Sequence, residues 1–193
     1  TCRSIGSQPA SQIGREAAQE VQRELPLLND NRVDDYVERI GQRLVAAIPP
    51  EFQHREFRYS FDVANYREIN AFALPGGAAW INRGVLHAAT NESQVAGVLA
   101  HEVAHIARRH AARRLTQATL TSWGLGLLGA VLGNSGGAGA AQTAAGFLAD
   151  GVFLKFSRDD EREADRVGLQ MLRQAGWDGR GMIEMFEIIR AEA

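Results

Sequence analysis

The thirteen residues from Val95 to Ala107, VAGVLAHEVAHIA, constrain the chain more than any other stretch of it. Ten of them are Val, Ala, Gly, Leu or Ile, and the other three are His101, Glu102 and His105. An apolar run of this length reads as a helix buried nearly all round. Proteins rarely keep charged or polar groups in such a place without partners. Something must therefore satisfy these three side chains.

Helix geometry says what that could be. His101 and His105 are four residues apart, which sets them about 40° apart around a helix axis and about 6 Å apart along it. Two imidazoles so placed can share one zinc ion, while Glu102, about 100° from His101, stands beside the ion and can handle a water's proton. Hydrolytic zinc sites usually take three protein ligands. His110 follows His105 by five residues, whereas the extended metzincin pattern needs six and a glycine where this chain has Arg108, so His110 is set aside as a ligand. Glu161 is the better third ligand. It lies in the segment SRDDEREADRVGLQMLRQAG, a helix opened by a Ser157–Asp160 capping box and closed by Gly176. Asp165 is one turn further on, so a ligand carboxylate and a carboxylate able to orient a ligand histidine arrive together. By charge pattern alone, DDEREAD is equally a solvated acidic first turn.

The rest of the chain reads as one domain over its 193 residues, α+β and mainly helical with a small β-sheet. Helices are expected in 1–50, with amphipathic segments at Ser11 to Leu25 and Asn31 to Ile48, the second ended by Pro49 and Pro50. The sheet falls in 55–90. EFRYSFDV alternates Phe57, Tyr59, Phe61 and Val63 with polar residues, and NAFALPGGAAWINRGVL reads as a hairpin around Pro75, Gly76 and Gly77. The zinc helix spans 91–115 with Asn91 as its cap, an apolar helical hairpin fills 116–154, the glutamate helix is 157–176, and a last helix occupies 178–193. On that last helix Met182, Ile183, Phe186 and Ile189 form one core face.

The 35 residues from Leu115 to Ala149 carry no charge, beside the basic tail RRHAARR. This juxtaposition is compatible with membrane proximity, but the most apolar part, Trp123 to Leu132, is too short to span a bilayer. A helical hairpin with a flexible GNSGGAG tip fits better, one able to pack on the core, cover a cleft, or touch a membrane or partner. The basic tail by itself suits the negative end of a helix dipole. A net charge of −2 gives no field that attracts nucleic acid. The single cysteine, Cys2, rules out a disulfide within this sequence and a cysteine zinc site. Close to a start at Thr1 that implies processing, Cys2 is either a lipid-acylated residue or an ordinary exposed one.

The motifs HEVAH and EREAD resemble those of the HtpX and CAAX-prenyl-protease family of zinc metallopeptidases, of the gluzincin type. The match runs through His101, Glu102, His105, Glu161, Ala164 and Asp165. NAFALPGG and AGWDGRGMIEMF are similar to two further family blocks, the second with Gly179 where Pro is common. The chain is most similar to the soluble periplasmic branch, BepA-like or LoiP-like. The resemblance implies a zincin-like fold and one Zn2+ per chain held by His101, His105 and Glu161. It also implies Glu102 as catalytic base with Asp165 in support, and a role in envelope protein quality control. Location in the bacterial periplasm or cell envelope follows, lipid-anchored if Cys2 is acylated. The family pattern continues into a His-Pro segment near the active site that is not among these residues. That implies either a longer chain or a centre without its contribution.

The expected function is a zinc endopeptidase acting through a zinc-activated water on unfolded or misfolded polypeptide. Such a substrate would add as a strand along Asn70, Ala71, Phe72 and Ala73, if these form a sheet edge and not an interior strand. Two other readings stand beside it. One is a zinc-stabilised chaperone-like or adaptor module without catalysis. The other is a di-iron carboxylate protein, because Glu102-x-x-His105 is also a di-iron signature. That reading needs a second pair, for which Glu51 and His54 are the available residues.

Overall fold

The computed structural model describes residues 14–15, 18–19, 21–114 and 156–192. The apolar stretch 115–149 and Cys2 lie outside them. The described residues form an α+β structure of helices around a three-stranded sheet. None of their helices is long and apolar enough to cross a membrane.

Helix α1, Asn31–Val45, starts where the Asp30 side chain accepts from the Arg32 N–H. It buries Val37, Ile40, Gly41 and Leu44, the one-sided spacing of an amphipathic helix. The helix ends three residues earlier than the sequence suggests, and a short 3-10 turn at Pro50–Phe52 follows. Strand β1, Ser60–Ala64, also starts later than expected. Phe57 and Tyr59 precede it and still pack into the core.

Strands β2, Ala71–Ala73, and β3, Ala78–Asn82, form the expected antiparallel hairpin, pairing Phe72 with Trp80. At its tip Gly77 has φ +127°, and a Cβ there would lie 2.2 Å from the Arg58 carbonyl oxygen. Only glycine fits this position. Strand β1 pairs in parallel with β3, so the sheet order is β1-β3-β2. Along β3 the side chains alternate. Ala79 and Ile81 enter the main core, and Trp80 turns to a smaller cluster with Phe72 and Val21. A helix the sequence reading did not expect, α2 at Arg83–Ala88, follows β3 directly.

Helix α3, Glu92–Ala107, is the organising element. Asn91 caps it by accepting from the Gln94 N–H, and twelve of its sixteen residues are buried. It packs against α4, Arg158–Ala175, and α5, Arg180–Glu192, with α1 and β2 also against it. The expected zinc helix of 91–115 is not continuous. It stops at Ala107, Arg109 takes a left-handed φ of 59°, and a new helical turn begins at 110. Helix α4 has the capping box read from the sequence, with both Ser157–Asp160 contacts made, and its Gly176 cap is left-handed at φ 87°.

The α5 face differs from expectation. Met182 and Met185 are buried while Ile183 is 54% exposed. Residues 182, 185, 186 and 189 share one side of a helix, and 183 is about 100° away from 182. The two helices meet closely, since a Cβ on Gly97 would lie 2.6 Å from the Met182 Cα. Gly97→Ala gains about 1 kcal/mol in helix propensity, and overpacking against backbone costs about 1–3 kcal/mol, so the variant should show a net loss of up to about 2 kcal/mol. Urea denaturation checks this, and a stabilised variant would place the helices further apart.

Candidate metal centre

Helices α3 and α4 bring the donor groups of three side chains together. His101 Nε2 and His105 Nε2 are 3.0 Å apart. Glu161 Oε2 is 3.4 Å from the first, and Glu161 Oε1 is 3.6 Å from the second. A tetrahedral zinc ion with bonds near 2.05 Å has ligand–ligand edges of about 3.3 Å. The histidine pair is close to one such edge, and each histidine nitrogen has a Glu161 oxygen at a comparable distance. These three residues could hold a metal ion.

The outer ring nitrogens explain why both Nε2 atoms point inward. His101 Nδ1 lies 3.0 Å from Asp165 Oδ1, so its N–H donates to that carboxylate. His105 Nδ1 lies 2.9 Å from the Nδ1 of His110. With protons on both outer nitrogens, two lone pairs face each other across 3.0 Å. A cation or a proton between them relieves the repulsion. Rings close the sides of the site. Phe156 stacks on His105 at 4.1 Å between centroids, and Phe186 meets His101 edge-on at 5.2 Å.

The electrostatics of the metal-free site follow from this geometry. Burial works against a charge on His101, but the Asp165 and Glu161 carboxylates, with Glu102 nearby, raise its pKa to about 10. Burial and the adjacent His101 and His110 lower His105 to about 2. Glu102 is raised to about 7, chiefly by burial, with His101 opposing and Glu161 adding. A carboxyl poised near neutrality can both take and return a proton. The hydrogen bond from Arg108 holds Glu163 down at about 2 against its burial.

The expected edge strand packs against the helix that carries both histidines. Among the described residues β2 pairs with β3 alone and packs on α3. The Asn82 N–H donates to the Asn70 carbonyl and the Leu74 N–H to the Ala78 carbonyl. Residues 70, 72 and 74 therefore direct their backbone groups to β3, and Ala71 and Ala73 turn theirs outward. The Asn70 side chain accepts from the Ala71 N–H.

Other residues stand elsewhere than the sequence reading put them. Glu51 is exposed on the 3-10 turn, and His54 donates from Nε2 to the carbonyl of Ala107. The second pair that a di-iron site needs is thus not at this centre. His110, set aside as a ligand, lies directly behind His105, with Glu163 behind it in turn. The basic tail is not simply a solvated last turn, because Arg108 and Arg113 pair with Glu163. Sequence reading missed Glu163 and Phe156 altogether. Helix spacing could have flagged Glu163 only with the break at Arg109 known.

The sequence as a whole is similar to known proteins. The sequence pattern of peptidase family M48 matches residues 31–192. The beta-barrel assembly-enhancing protease of Escherichia coli is 33% identical over 98% of this chain and 39% of its own length. The mitochondrial metalloendopeptidase OMA1 of Schizosaccharomyces pombe is 33% identical over 79% of this chain and 42% of its own length. That of Saccharomyces cerevisiae is 40% identical over 61% of this chain. The chain thus spans about two fifths of the length of such relatives. With the family pattern covering most of the sequence, including both helices that carry the donor groups, the chain belongs to peptidase family M48.

Proposed function

We propose that the chain is a zinc-dependent endopeptidase in which His101, His105 and Glu161 hold one Zn2+ ion. The observation that carries this reading is the convergence of three side chains, the two histidine nitrogens 3.0 Å apart and each within 3.6 Å of one Glu161 carboxylate oxygen, with Glu102 next to His101 on the same helix. Zinc, when bound, supplies Lewis acidity that makes water a nucleophile near neutral pH and polarises a peptide carbonyl. Glu102 takes the proton of the attacking water and passes it to the leaving amine. Asp165 holds His101 in the tautomer that offers Nε2 inward.

The substrate is polypeptide, bound as an added strand along Asn70, Ala71, Phe72 and Ala73. The outward direction of the Ala73 backbone groups and of the Ala71 carbonyl supports that mode, the Ala71 N–H being held by the Asn70 side chain. Such recognition reads backbone more than side chains, which suits unfolded or misfolded chains. The likeness to the beta-barrel assembly-enhancing protease supports a place in the cell envelope. A structural zinc site is closed by four protein ligands. Three convergent donors with a carboxyl beside them favour catalysis over an adaptor role.

Casein digestion tests the reading. Cleavage should stop on chelation and return with one equivalent of zinc per chain. Substrates N-methylated at alternate amides should show a raised KM, because they cannot pair with the strand edge. Zinc-independent cleavage, or restoration that needs two metal ions per chain, would overturn the assignment.

A further inference from the structure

Among the described residues, His110 is a fully buried titratable side chain outside the candidate ligand set, with 0% side-chain exposure. Nothing in the proposed chemistry uses it. Its two ring nitrogens are both engaged. Nδ1 lies 2.9 Å from His105 Nδ1, and Nε2 lies 2.9 Å from Glu163 Oε2. A carboxylate can only accept, so the proton of His110 sits on Nε2. Its Nδ1 is then a lone pair, and the facing His105 Nδ1 must be the one that carries hydrogen. Each proton position dictates the next. Glu163 is itself held by the guanidinium groups of Arg108 and Arg113.

We infer that His110 is a positioning residue that fixes the tautomer and orientation of His105 through the chain Glu163–His110–His105, leaving His105 Nε2 free for the metal. This rests on the metal-centre reading above. It makes the two histidines unequal, since His101 is backed directly by the Asp165 carboxylate and His105 by a neutral imidazole that relays one.

The break in α3 makes this arrangement. Five residues along an unbroken helix turn a side chain about 140° away from its predecessor. The left-handed Arg109 instead returns His110 to the ring of His105, centroid to centroid 4.8 Å. His54 closes the helix end by donating to the Ala107 carbonyl. His110, Asp160 and Glu163 also lie close enough together to suggest a second cation site. Arg108 and Arg113 already neutralise those carboxylates, and the other nitrogen of His110 is turned to His105. A relay accounts for every one of these contacts.

Three variants at His110 separate hydrogen bonding from packing. His110→Phe keeps the ring and loses both contacts. It should weaken zinc affinity, read by chelator competition, on the order of 10–100-fold. His110→Asn places a carbonyl oxygen near the old Nδ1 and should keep zinc affinity within about threefold of wild type. His110→Gln reaches Glu163 but offers His105 no acceptor there, and should resemble His110→Phe. The visible spectrum of the cobalt-substituted protein should shift in the Phe and Gln variants and not in the Asn variant.

Nitrogen-15 NMR of the zinc-loaded wild type should find hydrogen on Nδ1 of His105 and Nε2 of His110. This measurement holds even if a variant fails to fold. The opposite tautomer at His110, unchanged zinc affinity in His110→Phe, or equal losses in the Asn and Phe variants would overturn the inference while leaving the metal centre standing. Wild-type protein that binds no zinc would overturn both.

Discussion

Glu102→Gln should reduce peptide hydrolysis by a factor on the order of 10²–10⁴ while zinc content stays at one per chain and thermal stability changes little. The amide has the size and shape of the carboxyl but cannot take a proton. Glu102 sits about 100° around α3 from His101, outside the candidate ligand set, so its replacement removes no ligand. Its carboxyl, raised to about 7 in the metal-free protein, shows a site dry enough to tune a proton acceptor toward neutrality. A nearby dication then favours the ionised form needed for proton abstraction. Activity above about a tenth of wild type would take Glu102 out of the base role. Loss of zinc in the same variant would make it a ligand instead.

The metal-free protein should be most stable between about pH 4.5 and 6.5, and zinc should stabilise it more as pH rises above that range. The four groups shifted furthest in this range dominate the profile. Below 4.5 the unfolded chain binds protons that folded His105 and Glu163, both near 2, do not, so stability climbs with pH. From 4.5 to 6.5 the continuing gain from His105 is offset by Glu102, whose folded value of about 7 lies above its ordinary 4.5. Above 6.5, folded His101 keeps a proton that the unfolded chain has lost. Its contribution then falls away until about pH 10.

If zinc is held by His101 and His105 as proposed, it would take the place of the proton that His101 carries. Binding at pH 7.5 should therefore release about one proton per zinc, measurable by calorimetry in buffers of different ionisation enthalpy. The rise in melting temperature on adding zinc should be larger at pH 8.5 than at pH 5.5. A melting temperature for the metal-free protein that is flat from pH 6.5 to 9, with no proton release, would mean that His101 does not stand between two carboxylates.

Much of this protein was legible one element at a time. The His101–His105 spacing, the Asn91 and Ser157 caps, the Gly176 stop and the hairpin tip at Gly76 and Gly77 are local features, set by contacts within a few residues. For the same reason Glu161 and Asp165 could be named together. Both lie on one face of a helix whose start is written in its own sequence. Periodicity failed at Ile183, where an apolar residue just off the buried stripe was counted with it.

Only the tertiary structure decided the remainder. The parallel pairing of β1 with β3 joins strands that the hairpin partner separates in sequence. The stacking of Phe156 on His105 depends on where α4 begins in space. Above all, a non-glycine residue in the left-handed region carries no sequence signal. Arg109 adopts it where His54 takes the last carbonyl of α3 and Arg108 and Arg113 reach Glu163. Read along an unbroken helix, His110 points away from the metal. Folded against α4, it lies behind His105, because long-range contacts stabilise a backbone conformation that local preference disfavours.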